Sequence, residues 1–257
     1  MENAVLKKFR EGRPSLGTFT AVGNPLAVES LRYTGLDYVI VDTEHTPAGI
    51  ESAAAQIAAA QGAGLTALAR ANEISRTAVL RLLDVGAQGV VVPCVETVEE
   101  VRELVQYAKY TPLGNRGFCP TRDGGWGYAP HAASIPDYME TCNRETLLLL
   151  PQCETAGCLE HIEEITAMDG VDGIFVGPFD LSIALGRPGE FDAPEVHEAI
   201  LRVQAACRRH GKLSMIFTGG PAASRQRFAE GYDSATMGLD TLFYVEMYKK
   251  MVAEVWG

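Results

Sequence analysis

Short, nearly continuous apolar runs alternate along the chain with segments whose apolar residues recur at helical spacing. The runs are Gly17–Val22, Tyr38–Val41, Thr66–Ala69, Gly89–Val92, Leu147–Leu150, Gly173–Val176, Leu213–Phe217 and Ser234–Met237. A strand apolar on both faces suits a parallel sheet covered by helices, whereas a half-solvated strand alternates apolar and polar residues. The intervening segments carry helix start signals. Thr97 with Glu100, and Asp192 with Glu195, have capping-box spacing. Val98, Val101 and Val105 follow the first, Val196, Ile200 and Val203 the second, and Gly211 stands where a helix-ending glycine belongs. Eight strand–helix units in 257 residues predict one α/β domain over 1–257, a (β/α)₈ TIM barrel.

One connection breaks the rhythm. Between the fourth and fifth runs, Thr111–Pro130 holds five glycines and three prolines. Long loops of this kind in compact domains are often functional. This one is expected over the mouth of the barrel, or else at a subunit contact. The C-terminal segment Leu242–Trp256 is amphipathic, and either closes the barrel as its last helix or packs on a neighbouring subunit.

Charge and cysteine usage narrow the function classes. A net charge of −11 gives no basic footprint for nucleic acid or an anionic membrane. No apolar stretch approaches the length of a membrane span, and Met1–Phe9 has no signal-peptide core. Cys94, Cys119, Cys142, Cys153, Cys158 and Cys207 show neither a C-x-x-C pair nor zinc spacing. They read as reduced packing residues of a cytoplasmic protein.

The candidate chemistry gathers at strand ends. Gln152-Cys153-Glu154-Thr155 follows the fifth run and Gly177-Pro178-Phe179-Asp180-Leu181 the sixth. In a barrel these positions are neighbours at the C-terminal rim, where active sites are built. Glu154 and Asp180 are thereby adjacent oxygen ligands, suited to Mg²⁺ or Mn²⁺. Asp42 and His45 follow the second run, and the aspartate is expected to orient the histidine as a general base. Arg70 ends the third run, and a buried guanidinium needs an anion: Asp42, Glu44 or a substrate carboxylate. None of the lysines (7, 8, 109, 212, 249 and 250) ends a strand at this rim, so a Schiff base has no candidate. Charge developing beside a carbonyl must then be met by a metal acting as Lewis acid.

Taken in order, Asp42-x-Glu44-His45, Arg70, Asp84-x-Gly-Ala-x-Gly, Val92-Pro93, Arg116-Gly117, Gln152-x-Glu154-Thr155 and Gly177-Pro178-x-Asp180-Leu181 resemble the HpcH/HpaI aldolase family from about residue 15 onward. The resemblance implies a barrel of the phosphoenolpyruvate/pyruvate type. It also implies metal-dependent, reversible cleavage of a 4-hydroxy-2-oxo acid to pyruvate and an aldehyde, through a metal-bound pyruvate enolate. Glu154 and Asp180 would ligate Mg²⁺, Mn²⁺ or Co²⁺, with Gln152 close to the metal. Arg70 would bind the pyruvyl end, and His45, paired with Asp42, would move the proton of the 4-hydroxyl. Backbone amides around Gly177, Pro178, Phe179 and Asp180 would receive the carboxylate. A homo-oligomer, a hexamer, is implied as well. The chain departs from the family pattern at Phe118–Tyr128 and at Phe179, a position often occupied by alanine, which leaves the aldehyde open. Arg122 could meet an acidic aldehyde or anchor its loop.

The rival readings are a carbon–carbon lyase of the citrate-lyase or malyl-CoA type, a phosphate-binding barrel using Gly219-Gly220 and Gly238, and a non-catalytic metal- or oxo-acid-binding barrel.

Overall fold

Six of the eight strands carry two sets of apolar side chains, and the two sets fill two different cores. In a computed structural model, which describes residues 2–257, eight parallel strands close into a barrel in chain order. Met1, where both the expected domain and the Met1–Phe9 segment begin, lies outside the described residues. The strands are β1 (Ser15–Thr20), β2 (Tyr38–Asp42), β3 (Thr66–Arg70), β4 (Gly89–Val92), β5 (Leu148–Cys153), β6 (Gly173–Val176), β7 (Leu213–Thr218) and β8 (Ser234–Leu239). Tyr38, Ile40, Leu68, Val91, Leu148, Leu150, Phe175, Leu213 and Met215 pack together as the inner core. Their alternates, among them Val39, Val41, Ala67, Val90, Leu149, Ile174 and Ile216, join the larger core shared with the helices. Both faces of β2–β7 are therefore dry, which is why those runs read as continuous.

Helix α1 (Ala4–Arg10) plugs the N-terminal end with Val5 and Leu6, and Asn3 caps it through Leu6 N at 3.2 Å. The barrel is then covered by α2 (Pro25–Ser30), α3 (Ile50–Gly62), α4 (Arg76–Asp84) and α5 (Val98–Ala108). Beyond the long connection come α6 (Ile135–Thr141), α7 (Ala156–Glu160), α8 (Ile162–Ala167), α9 (Pro178–Ala184), α10 (Pro194–His210), α11 (Pro221–Ala229) and α12 (Asp240–Trp256). The Thr97–Glu100 capping box forms at α5, and Gly211 ends α10 at φ 64°. The box expected of Asp192 and Glu195 does not. Ala193 is the N-cap, and Pro194 sets the first turn, where its missing N–H costs nothing. Inside the barrel, a side chain at Gly17 would overlap the Tyr38 ring. That ring is fixed by its hydroxyl against Thr236 and Ser234, at 2.8 and 3.0 Å.

The long connection does not cover the mouth of the barrel. α5 runs antiparallel to β4 and returns the chain to the N-terminal end, so everything after it begins there. Arg116 joins Asp84 and Asp123 at 2.9 and 2.8 Å, and Arg122 bonds Gln61 at the end of α3. Arg122 therefore anchors its loop, on the face opposite the strand ends that carry the candidate chemistry. Lys109, fully buried at the same end, is held by Asp172 at 2.7 Å.

The last helix also departs from a simple barrel. No residue of α12 is buried, and a cavity of about 610 Å³ separates it from β1 and the segment Ala27–Leu36. Leu242, Val245, Met251, Val252 and Trp256 are all exposed, so this helix does not close the barrel as an eighth cover. Two cysteines depart from the packing expectation, since Cys94 and Cys119 are exposed while the other four are buried. No helix among the described residues is long and apolar enough to cross a membrane.

Candidate active site

Strand register brings the first two charges together. Asp42 and Arg70 end β2 and β3 as direct partners in the parallel ladder. Arg70 Nε and Nη2 donate to the two Asp42 oxygens at 2.9 and 2.7 Å, a bidentate fork, and Arg70 Nη1 lies 3.2 Å from Glu44. The guanidinium also stacks over the Phe19 ring, 4.7 Å from its centroid. Asp42 is 2% exposed and Arg70 8%, so each charge depends on the other for the solvation that burial removes.

This arrangement corrects the expected pairing of His45 with Asp42. Both Asp42 oxygens are taken by Arg70, and Oδ1 also accepts from Glu44 N at 3.0 Å. His45 stands instead beside Glu44, with Nε2 at 3.6 Å, and its side chain is 67% exposed. It lines the central cavity with Arg70, Gln152 and Asp180.

Glu154 is held from two sides. Cys94 N donates to Oε1 at 2.8 Å, and Gln152 Nε2 donates to Oε2. Cys94 has φ 57°, a strained left-handed conformation for a residue other than glycine, and it is this residue's N–H that reaches Glu154. Gly177 is needed for space, since an added Cβ would lie 2.6 Å from Glu154 Oε2 and 2.9 Å from Gln152 Nε2. Of the amides expected to receive a carboxylate, Gly177 N already donates to Cys153 O and Pro178 has none. The first-turn amides of Phe179 and Asp180 are left for that role.

The electrostatics of the cavity call for a cation. Burial pushes the Glu154 carboxyl above its ordinary range, against the Cys94 and Gln152 hydrogen bonds, and the charges of Asp180 and Glu44 push the same way. Glu44 is raised by burial too, with Arg70 opposing and Asp180 adding to the rise. Gln152 Oε1 is buried without a hydrogen-bond partner beside this cluster. Crowded carboxylates and an unused amide oxygen form a hard-oxygen donor set, which fits a small divalent ion. Among the described residues, no three His, Cys, Asp or Glu side chains form a closed metal cage. The protein offers an open two-carboxylate edge.

The cavity between these groups measures about 330 Å³ and opens at the C-terminal end of the barrel. Gly219 and Gly238 line it where a phosphate could sit, but its basic side chains are His45 and Arg70, and Arg70 already faces two carboxylates. The rest of the wall is aromatic: Phe19, against which Arg70 stacks, Phe175, Phe179 and Phe217. Except for Phe179, this wall went unread in the sequence, although strand parity would have turned Phe19, Phe175 and Phe217 toward the barrel axis.

A sequence model described as HpcH/HpaI aldolase/citrate lyase matches residues 15–246. The chain is 33% identical over 252 residues to a hydroxypyruvate/pyruvate aldolase of Roseovarius nubinhibens, covering 98% of this chain and 96% of that one. It is 32% identical to a 5-keto-4-deoxy-D-glucarate aldolase of Klebsiella pneumoniae, covering 93% of each. A solved HpcH/HpaI aldolase/citrate lyase family protein from Burkholderia cenocepacia superposes with a TM-score of 0.90 at 30% identity, covering 99% of this chain and all of that one.

The space at Gly177 can be tested directly. Gly177→Ala is expected to displace Glu154 and weaken Mn²⁺ binding to the metal-free protein by about tenfold, roughly 1.4 kcal/mol, measured by titration calorimetry. Unchanged affinity would mean that Glu154 is not the group that Gly177 makes room for.

Proposed function

The chain belongs to the HpcH/HpaI aldolase/citrate lyase family, and from that premise we propose that it is a divalent-metal-dependent aldolase. It reversibly cleaves a 4-hydroxy-2-oxo acid to pyruvate and an aldehyde. The observation that carries this reading is one cavity lined by the fixed Arg70 guanidinium, Gln152 and the Asp180 carboxylate, with the buried Glu154 carboxylate against its Gln152 and Gly177. A 2-oxo acid presents two oxygens to such a site and develops negative charge on one of them as its C3–C4 bond breaks.

Glu154 and Asp180 would hold Mg²⁺, Mn²⁺ or Co²⁺, which supplies Lewis-acid stabilisation of that charge when bound. Arg70 binds the pyruvyl end. Asp42 holds the Nε–Nη2 edge of its guanidinium and Glu44 lies against Nη1, so the N–H groups they leave free are fixed in direction before substrate arrives. His45 takes the proton of the 4-hydroxyl as the C4 oxygen becomes the aldehyde carbonyl, and Glu44, 3.6 Å away, orients the ring. The bonding electrons of C3–C4 pass toward the C2 oxygen, and a proton returned at C3 completes pyruvate. Phe179, Pro178 and Gly177 line the cavity beside Gln152 and shape the substrate site.

A cytoplasmic location accords with six cysteines that are all unpaired. Assembly as a homo-oligomer, a hexamer by family resemblance, is supported by α12. A helix of 17 residues with no buried side chain, beside an open cavity of about 610 Å³, has its apolar surface available for another copy.

Two outcomes are expected. Glu154→Gln or Asp180→Asn should abolish pyruvate release and weaken Mn²⁺ binding, and EDTA followed by dialysis should silence the parent protein. Borohydride with pyruvate should trap no adduct; a trapped adduct, or full activity in excess EDTA, would overturn the metal mechanism. In light scattering, the protein should have a mass several times the 27.7 kDa of one chain. A stable, active monomer would refute the oligomer.

A further inference from the structure

The lining of the cavity is more apolar than a pyruvyl unit requires. Phe191 packs edge-on against Phe179 at 4.7 Å, Phe179 lies 6.0 Å from Phe217, Phe217 6.1 Å from Phe19, and Phe19 5.8 Å from Phe175. These rings form one continuous band, and Leu239 and Leu242 extend it along the cavity. Phe179 is 52% exposed although Phe191 braces it, so a large part of its surface faces open space. An apolar ring held toward a cavity gains most when an apolar ligand group covers it.

The polar contacts of the cavity are few and lie among the rings, with Arg70 stacked on Phe19 and Gln152 the ladder partner of Phe175. Arg70, Gln152, Asp180 and His45 supply them, and on the proposed function they are committed to the 2-oxo acid end and the 4-hydroxyl. The remainder of the substrate, the group carried by C4, is left with the aromatic band. Hydroxyl groups placed there would lose hydrogen bonds to water without gaining partners. We infer that the aldehyde this enzyme releases or accepts carries an apolar group, aromatic or branched aliphatic, and not a polyhydroxylated chain. The inference rests on the aldolase reading and adds to it the class of the second substrate. It also gives a role to Phe179: as a specificity-determining residue it supplies the exposed face on which that group stacks.

The test runs the reaction toward aldol addition, with Mn²⁺ and pyruvate fixed, and compares kcat/KM for benzaldehyde and glyceraldehyde. Benzaldehyde is expected to be favoured by roughly 10–200-fold, the range that apolar pocket contacts confer. Phe179→Ala should collapse that ratio, and Phe179→Leu should keep part of it. Deuterium exchange at C3 of pyruvate, followed by NMR in the same samples, separates two kinds of failure. Absent exchange would overturn the aldolase reading and this inference with it. Exchange with glyceraldehyde preferred, or a ratio unmoved in Phe179→Ala, would overturn the apolar acceptor alone.

Discussion

The bidentate bond between Arg70 and Asp42 is the contact on which the rest of the site depends. Neither charge could sit at the top of a dry barrel alone, because the cost of stripping water from an isolated ion far exceeds the stability of a domain. The β2–β3 register makes the two residues partners and so makes both burials possible. Glu44 adds a second anion and Phe19 a ring face, leaving the guanidinium little freedom to reorient. Such a pair contributes little net stability over an apolar substitute. What it provides is direction, since an arginine whose three nitrogens all face carboxylates cannot turn the donors it has left.

Around that arginine, the chain also gathers charges that repel one another. Burial raises the proton affinity of Glu154 and Glu44, and the neighbouring charge of Asp180 adds to the rise at both. The structure holds Glu154 in place against this repulsion with the amide of a strained Cys94 and with Gln152, and it keeps the residue above it a glycine. A divalent ion would relieve the repulsion that these contacts now resist. The aromatic band then sets the shape of what lies beyond the charged end, and its Phe19 also lies against Arg70.

Much of this could be read from the residues alone. The strands were visible because most are apolar on both faces, and the observed strands differ from the expected ones by only a residue or two at most ends. Asp42, Arg70, Glu154 and Asp180 were placed at one rim by their position after strands. Sequence order could not give the pairing among them, because Asp42 sits three positions from His45 but directly across the ladder from Arg70. The Thr111–Pro130 connection was misplaced for a related reason, since a helix following a strand returns the chain to the opposite end. The isolation of α12 was beyond reach, because an amphipathic pattern looks the same whether its apolar face meets its own barrel or another copy. The aromatic band escaped notice because its rings come from four separate elements and only the closed barrel brings them together.

The most direct test of the Arg70 clamp is the dissociation constant of pyruvate for Asp42→Asn, measured with Mn²⁺ present, beside cleavage of a 4-hydroxy-2-oxo acid by the same variant. Asparagine has nearly the shape of aspartate but offers one acceptor oxygen and no charge, so the fork is lost and the guanidinium is free to swing. Pyruvate affinity should fall by about tenfold or more, roughly 1.4 kcal/mol, and cleavage should fall with it. If affinity is kept while cleavage is lost, Asp42 serves the proton carried by His45 and does not hold Arg70, contrary to the geometry described here.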